Sequence, residues 1–149
     1  MNSATRKATA VWNGDLINGS GMVNYVTSGA FARLPVSWAA RTGASDGKTS
    51  PEELLAAAHA ACFSMAFSAR LAKNGTPATR LDVSATVAFE QGDAGWKVAS
   101  SALVVKGDVP GIDAATFASL AEDAKDGCPI SGALKGNVEL SVDASLVSG

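Results

Sequence analysis

The chain has 149 residues, the usual size of one domain and enough to bury a core, so we predict a single domain over residues 1–149. Hydrophobic residues make up 47% and charged residues 17%, a balance that excludes a disordered chain. The net charge of −2, with no basic stripe, argues against nucleic acid and anionic membrane surfaces as partners.

The N-terminal third predicts short strands and a loop. Lys7–Trp12 and Gly21–Ser28 are β-prone runs, and Asn13-Gly14-Asp15 between them is typical of a turn. Leu34–Ala39 is a third candidate strand. The segment Arg41–Ser50 is rich in Gly, Ser, Thr and Asp, which predicts a loop.

The clearest predicted element is a helix that begins at Pro51. Ser50 suits the N-cap, Pro51 suits the first helical position, and Glu53 completes a capping box. We expect the helix to run to about Lys73, where Asn74-Gly75-Thr76-Pro77 ends it.

The second half predicts strands and helices that are partly segregated, which favours an α+β domain over a doubly wound parallel sheet. In chain order the elements are a hairpin over Leu81–Phe89 and Trp96–Val105, a helix from Asp113 to Gly127, a helical turn at Ser131–Leu134, and a strand at Val138–Val142.

The cellular compartment bears on the two cysteines. The first residues lack the apolar core of a signal peptide, and the longest uncharged stretch, Leu54–Ala69, is shorter than the ~20 residues of a membrane span. We therefore predict a cytoplasmic protein that does not cross a membrane. In a reducing compartment, Cys62 and Cys128 are free core thiols or reactive ones.

Cys62 falls near the middle of the predicted helix, where the helix dipole helps a thiolate little. Burial alone would raise its pKa and leave it inert, so a reactive Cys62 needs a nearby cation. His59 lies three residues earlier on the same face, and Arg33, Arg41 and Arg70 are the other candidates. A free core cysteine is the simplest alternative.

The two glutamates after Pro51 divide by role. Glu53 serves the capping box, which leaves Glu52 free to orient a cation. The alternative is that Glu52 is only a favourable charge at the helix N-terminus. Glu52 precedes Cys62 by ten residues, a helical rise of about 15 Å. If both serve one site, Glu52 should come from a second subunit whose helix crosses antiparallel.

Cys128 follows a helix end and precedes Pro129, so it is either a small buried residue in a tight turn or a thiol brought close to another element. The sequence allows a disulfide between Cys62 and Cys128 without deciding it. A zinc site on His59, Cys62 and Cys128 is weakly supported because no cysteines are closely spaced. Acyl transfer by Cys62 and His59 is conceivable, although no orienting residue is evident. We expect no metal and no cofactor.

Four motifs carry a family resemblance over nearly the whole chain. The run Pro51–Ala66 resembles the signature of the OsmC/Ohr family, the osmotically inducible and organic-hydroperoxide-resistance proteins, and is most similar to the OsmC branch. Trp12–Asp15, Val109–Asp113 and Gly127–Ser131 resemble further motifs of that family.

The resemblance implies an α+β OsmC-like fold, with antiparallel sheets around two central helices in an intertwined homodimer. It implies reduction of organic hydroperoxides, and more weakly of hydrogen peroxide, with Cys62 as the peroxidatic cysteine and Cys128 as the resolving one. Glu52 matches the family's acidic partner, and Arg41 matches its activating arginine, with Arg33 as the alternative.

The implied mechanism joins these residues. Arg41, held by Glu52, stabilises the Cys62 thiolate, which attacks the peroxide and becomes a sulfenic acid. Cys128 then forms a disulfide with Cys62, and a dithiol reductant, often of the lipoyl type in the family, restores the thiols. Apolar residues near Cys62, namely Leu55, Phe63 and Met65, either favour hydrophobic peroxides or are plain core. The rival functions are a non-catalytic binding module for small hydrophobic ligands, and Cys-His acyl transfer.

Overall fold

The structure, a computed structural model, describes residues 2–147 and has an α+β architecture. Within these residues the elements are β1 (Ala8–Asn13), β2 (Ser20–Val26), β3 (Ala32–Val36), α1 (Trp38–Thr42), α2 (Pro51–Lys73), β4 (Arg80–Gly92), β5 (Gly95–Asp108), α3 (Ala114–Gly127), α4 (Pro129–Leu134) and β6 (Glu139–Leu146). The chain divides into two compact units, the first ending at Glu53 and the second beginning at Leu54.

The first unit contains an antiparallel sheet in the order β1-β2-β3. The three predicted strands are present, but the third is shorter than expected. It ends at Val36, and α1 occupies Trp38–Thr42, so the predicted strand end at Ala39 and loop start at Arg41 are wrong. The reason is local, because the Ser37 hydroxyl accepts a hydrogen bond from the Ala40 N–H at 3.1 Å and caps a short helix.

The predicted bounds of α2 are confirmed. Its first turn departs from a full capping box. The Ser50 hydroxyl accepts from the Glu53 N–H at 3.1 Å as expected, but the Glu53 carboxylate accepts from the Thr49 hydroxyl at 2.8 Å.

α2 is long and apolar enough to cross a membrane by length and composition, with a mean hydropathy of 1.4 in its most apolar stretch. The core helix of a soluble protein passes the same test. In the second unit, one face of α2 is fully buried through Phe63, Phe67 and Leu71. That face makes α2 the central helix of this unit's core.

The second unit contains a mixed sheet in the order β4-β5-β6. The predicted hairpin is confirmed, since β4 and β5 pair antiparallel from Arg80↔Asp108 to Gly92↔Gly95. The expectation of purely antiparallel sheets is wrong for β6, which pairs parallel with β5. Residues 109–138, which contain α3 and α4, form a crossover long enough to return the chain in the same direction.

Aromatic rings organise the core of the second unit. The Phe67 ring centroid lies 5.5 Å from that of Phe63 and 4.9 Å from that of Phe117 on α3. Gly107 of β5 is required under this cluster, because a Cβ there would lie 2.5 Å from the Phe117 ring. The same core includes Cys128 and is flanked by Cys62.

Candidate active site

The two cysteines of the chain meet in the second unit. The Cys62 and Cys128 sulfurs lie 2.9 Å apart as free thiols and share a hydrogen bond. Cys62 comes from the middle of α2 and is half-buried, whereas Cys128 follows α3 and is 1% exposed. Pro129 begins α4 directly after Cys128. This sharp junction brings the Cys128 side chain to Cys62 on α2.

The surroundings of the two sulfurs differ. Burial and the hydrogen bond to Cys128 raise the pKa of Cys62, against a single lowering contact from the Ile130 N–H. Burial also acts to raise the pKa of Cys128, but its contacts with Cys62 and with the nearby Ser131 and Ile130 lower it overall. Within this unit, Cys128 is therefore the more acidic thiol.

His59 is fully buried, and both of its ring nitrogens are hydrogen-bonded. Nδ1 lies 2.6 Å from the Ser101 hydroxyl of β5, and Nε2 lies 2.8 Å from the Ser131 hydroxyl of α4. Burial lowers the pKa of His59, so the imidazole is neutral at neutral pH. The hypothesis that His59 supplies a cation to Cys62 is not supported.

The first unit carries an ion pair between Arg41 and Glu52. The Arg41 Nη2 donates to Glu52 Oε1 at 2.6 Å, and Nε donates to both carboxylate oxygens at 3.2 Å. Glu52 is 7% exposed, so this carboxylate has exchanged water for the guanidinium. The Arg41 guanidinium also lies over the Trp38 ring, 5.7 Å from its centroid.

An apolar cavity of about 300 Å³ adjoins this ion pair in the first unit. It is lined mainly by large apolar side chains, among them Trp12, Leu16, Val36, Trp38 and Pro51, with Arg41 at its wall. A cavity of this size and composition suits a small apolar molecule with one polar end.

Some of the site residues predicted from the sequence lie in contact with each other, and others do not. The structure pairs Cys62 with Cys128 and Arg41 with Glu52, whereas Arg33 lies in β3 in a left-handed backbone conformation with φ of 58°. Phe63 belongs to the core, and Met65 is 68% exposed. Across residues 2–147, no group of three His, Cys, Asp or Glu side chains is placed to hold a metal.

The sequence reading missed Ser101 and Ser131. Neither is part of a recognisable spacing with His59, since 42 and 72 residues separate them from it. The only signal was that a lone histidine on an apolar helix face needs polar partners once it is buried.

Fold and geometry define an α+β protein with a paired-thiol site. Comparison with known proteins gives its family. The model of the OsmC-like protein family matches residues 43–143, and the chain is 42% identical to "Peroxiredoxin OsmC" of Escherichia coli over 143 residues, covering 96% of this chain and 97% of that one. The chain belongs to the OsmC-like protein family.

More distant relatives agree. The chain is 32% identical over 99 residues to the organic hydroperoxide resistance protein OhrA of Bacillus subtilis, covering 65% of this chain and 67% of that one. Its fold matches the crystal structure of OhrB from B. subtilis with a TM-score of 0.71 at 23% identity, covering 93% and 98% of the two chains. An organic hydroperoxide resistance protein from Elizabethkingia anophelis gives the same TM-score at 26% identity, covering 97% and 100%. Peroxiredoxin OsmC and OhrA, by sequence, support a peroxide-related role for this chain.

Proposed function

We propose that the protein is a thiol-dependent peroxidase that reduces organic hydroperoxides and, more weakly, hydrogen peroxide. The observation that carries the proposal is the contact between the half-buried Cys62 and the buried Cys128. One sulfur is reachable by a peroxide, and the other stands ready to close a disulfide with little movement.

The reaction takes three steps. The Cys62 thiolate attacks the terminal peroxide oxygen, so that the O–O bond breaks, Cys62 becomes a sulfenic acid and the alkoxide leaves as an alcohol after taking a proton. The Cys128 thiolate attacks the Cys62 sulfur and releases hydroxide, which is protonated to water. A dithiol, which we propose to be of the lipoyl type, then reduces the disulfide and is itself oxidised.

The ionisation of Cys62 needs a cation, and none is among the groups that shift its pKa in the described part of the chain. Its own surroundings raise the pKa, and the neighbouring His59 is neutral. We assign that role to Arg41, held by Glu52. The rise along α2 between Glu52 and Cys62, about 15 Å, favours a pair supplied by a second copy of the chain.

The exposed face of α2 supports such a homodimer. Only 22% of the most apolar stretch of α2 is buried within one chain. Its exposed residues are small or apolar and include Ala58, Ala61, Met65 and Ala69. A second copy would cover this surface, and an apolar face without a partner is costly for a protein in water.

The apolar cavity beside Arg41 supports organic hydroperoxides as substrates over hydrogen peroxide. The alkyl part would occupy the cavity, and the peroxide oxygens would face the guanidinium. We place this activity in the cytoplasm, where dithiol reductants are available, with no role for nucleic acid or for a membrane.

The mass of the chain after one equivalent of cumene hydroperoxide tests the proposal. The wild type should lose two hydrogens, and Cys128→Ser should gain one oxygen as a trapped sulfenic acid. Cys62→Ser should abolish turnover, and full activity in that variant would refute the proposal.

The cavity also favours a second function, a non-catalytic module that binds small apolar ligands. The pKa of Cys62 separates the two functions. A value near or above the usual ~8.5 in the assembled protein would indicate binding without catalysis. Acyl transfer by Cys62 and His59 has no geometric support, because both ring nitrogens of His59 face serine hydroxyls.

A further inference from the structure

We propose that Trp12 and Leu16 form a fixed apolar wall that selects the organic part of the substrate. Both are then specificity-determining residues that favour compact aryl and branched hydroperoxides over long linear ones. The inference rests on the proposed function for its catalytic consequence. Its geometric basis lies entirely within the first unit.

The Trp12 ring has a fixed place on the sheet of the first unit. In the register of β1 and β2, Trp12 lies directly opposite Gly21. A Cβ at Gly21 would lie 2.5 Å from Cε3 of the indole, which is too close for a side chain to share the space with the ring. The strand pairing and this glycine therefore determine where the ring lies.

The indole N–H ties the ring to the turn that follows β1. It donates to the carbonyl oxygens of Gly14 and Asp15, each at 3.1 Å from Nε1. The Asp15 carbonyl also accepts from the Gly19 N–H at 2.9 Å, and the Asp15 carboxylate accepts from the Asn18 N–H at 2.7 Å. Leu16 follows Asp15 inside this closed turn, so the bonds that hold the indole also hold Leu16 in place.

Trp12 and Leu16 line the apolar cavity of the first unit together with Trp38 and Arg41. Trp12 is 41% exposed and Leu16 is 52% exposed, so both present apolar surface that this unit does not bury. The Arg41 guanidinium lies over the Trp38 ring and gives the cavity a cationic group. The ligand that fits is apolar over most of its surface and polar at one end, as a hydroperoxide is.

The volume of the cavity limits the size of the organic group. The cavity has about 300 Å³, twice the volume of about 150 Å³ that holds one benzene molecule in a protein interior. One aromatic ring with a short branched substituent fits this space, and the indoles of Trp12 and Trp38 offer it ring contacts. A long linear chain would extend beyond the wall, and the methylene groups left in water would add nothing to binding.

The first test measures binding without turnover. Cumyl alcohol, the alcohol formed from cumene hydroperoxide, is titrated by calorimetry into Cys62→Ser, the parent protein of this test. Adding Trp12→Ala should weaken binding about tenfold, and adding Leu16→Ala should weaken it about threefold, because each change removes part of the wall. Trp12→Phe keeps an aromatic ring and should bind within about threefold of the parent. A parent that does not bind cumyl alcohol would overturn the inference.

The matched control is Ile17→Ala. Ile17 follows Leu16 in the same turn, is 68% exposed, and lies outside the described lining of the cavity, so this change should leave the binding of cumyl alcohol unaltered. Both aliphatic side chains are more than half exposed, so both alanine variants should fold. Equal binding by Leu16→Ala and Ile17→Ala would overturn the inference even if Trp12→Ala fails to fold.

The second test compares two hydroperoxides with Cys62 intact. The ratio of kcat/KM for cumene hydroperoxide to kcat/KM for n-dodecyl hydroperoxide should fall about tenfold in Trp12→Ala, mainly through a higher KM for cumene hydroperoxide. Gly21→Ala keeps the residues that line the cavity but displaces the ring, and should lower the ratio in the same direction. A purely structural defect would lower both values in parallel, and an unchanged ratio in both variants would overturn the inference.

Two further outcomes separate this inference from its rivals. A wild type that binds cumyl alcohol but reduces neither hydroperoxide would overturn the proposed function, while the binding test would still decide the role of the wall. The other candidate occupant of the cavity is a second copy of the chain. Trp12→Ala should keep the oligomeric state of the wild type in analytical ultracentrifugation, and a loss of the dimer would assign the wall to a subunit interface and overturn the inference.

Discussion

The two units of the chain differ in what stabilises them and in what chemistry they carry. The buried apolar core among the described residues lies in the second unit, around Phe63, Phe67 and Phe117, whereas Ala40 is the one buried hydrophobic residue of the first unit. The first unit instead exposes large apolar side chains, such as Ile17 at 68% and Leu16 at 52%. The second unit therefore has a buried core of its own, whereas the first unit leaves large apolar side chains exposed.

The chemistry divides in the same way. The first unit carries a guanidinium–carboxylate pair beside an apolar cavity, and the second carries two thiols with a buried histidine. Among the described residues, no cation is one of the groups that shift the pKa of either thiol, and both cysteines lie in the second unit. The proposed function requires both units, and the predictions below test how each contributes.

The largest effect is expected in the core of the second unit. Phe117→Ala should lower the free energy of unfolding by about 3–5 kcal/mol, because it removes a fully buried ring that packs on Phe67. Val11→Ala in the first unit removes a side chain of a residue that is 49% exposed and should change stability by less than about 0.5 kcal/mol. Urea denaturation of both variants measures the contrast, and equal losses would contradict it.

A smaller effect is expected from the ion pair. Arg41→Met and Glu52→Gln should each lower kcat/KM for an organic hydroperoxide by about tenfold. Without the cation that stabilises its thiolate, Cys62 has a pKa of ~8.5 or higher and is mostly protonated at neutral pH. The pKa of Cys62, measured in a Cys128→Ser background, should rise in both variants. Arg80→Met is the matched control, since Arg80 makes an exposed bidentate pair with Asp82. A loss in the control equal to that in Arg41→Met would remove Arg41 from the site.

The apolar face of α2 tests whether the units cooperate across a homodimer. Met65→Asp places a charge on this face and should weaken dimerisation and lower activity together, whereas Met65→Leu keeps the surface apolar and should change neither. Analytical ultracentrifugation with parallel assays measures both properties. A monomeric Met65→Asp variant with full activity would show that the site is complete within one chain.

The smallest expected effect is the pH dependence of stability due to His59. Its folded-state pKa lies below the usual 6.5, so the unfolded chain binds a proton first as the pH falls. The free energy of unfolding should therefore decrease below about pH 6.5, and His59→Gln should remove that decrease. The exposed carboxylates with lowered pKa values, such as Asp113, act near and below their usual value of 3.8, which separates the two ranges. Identical profiles for the two proteins above pH 4.5 or so would contradict the burial of a neutral imidazole.

Local sequence signals predict most helices and strands and locate the residues that can carry chemistry. The capping residues around Pro51 predicted the start of α2, and Asn74-Gly75-Thr76-Pro77 predicted its end. Alternation from Leu81 onward predicted the β4–β5 hairpin, because these signals act over a few residues. The predicted strand over Leu34–Ala39 was wrong at its end, because the Ser37 hydroxyl caps α1 and the chain becomes helical there.

Tertiary structure alone decided which distant residues meet. The parallel pairing of β6 with β5, the contact between Cys62 and Cys128, and the serine partners of His59 each join segments tens of residues apart, and spacing along the chain carries no information about them. The acidity of a thiol depends on these neighbours, because burial and hydrogen bonds act through space. Sequence motifs therefore located the two cysteines, whereas only the fold showed that burial raises the pKa of Cys62 and that close contacts lower the pKa of Cys128.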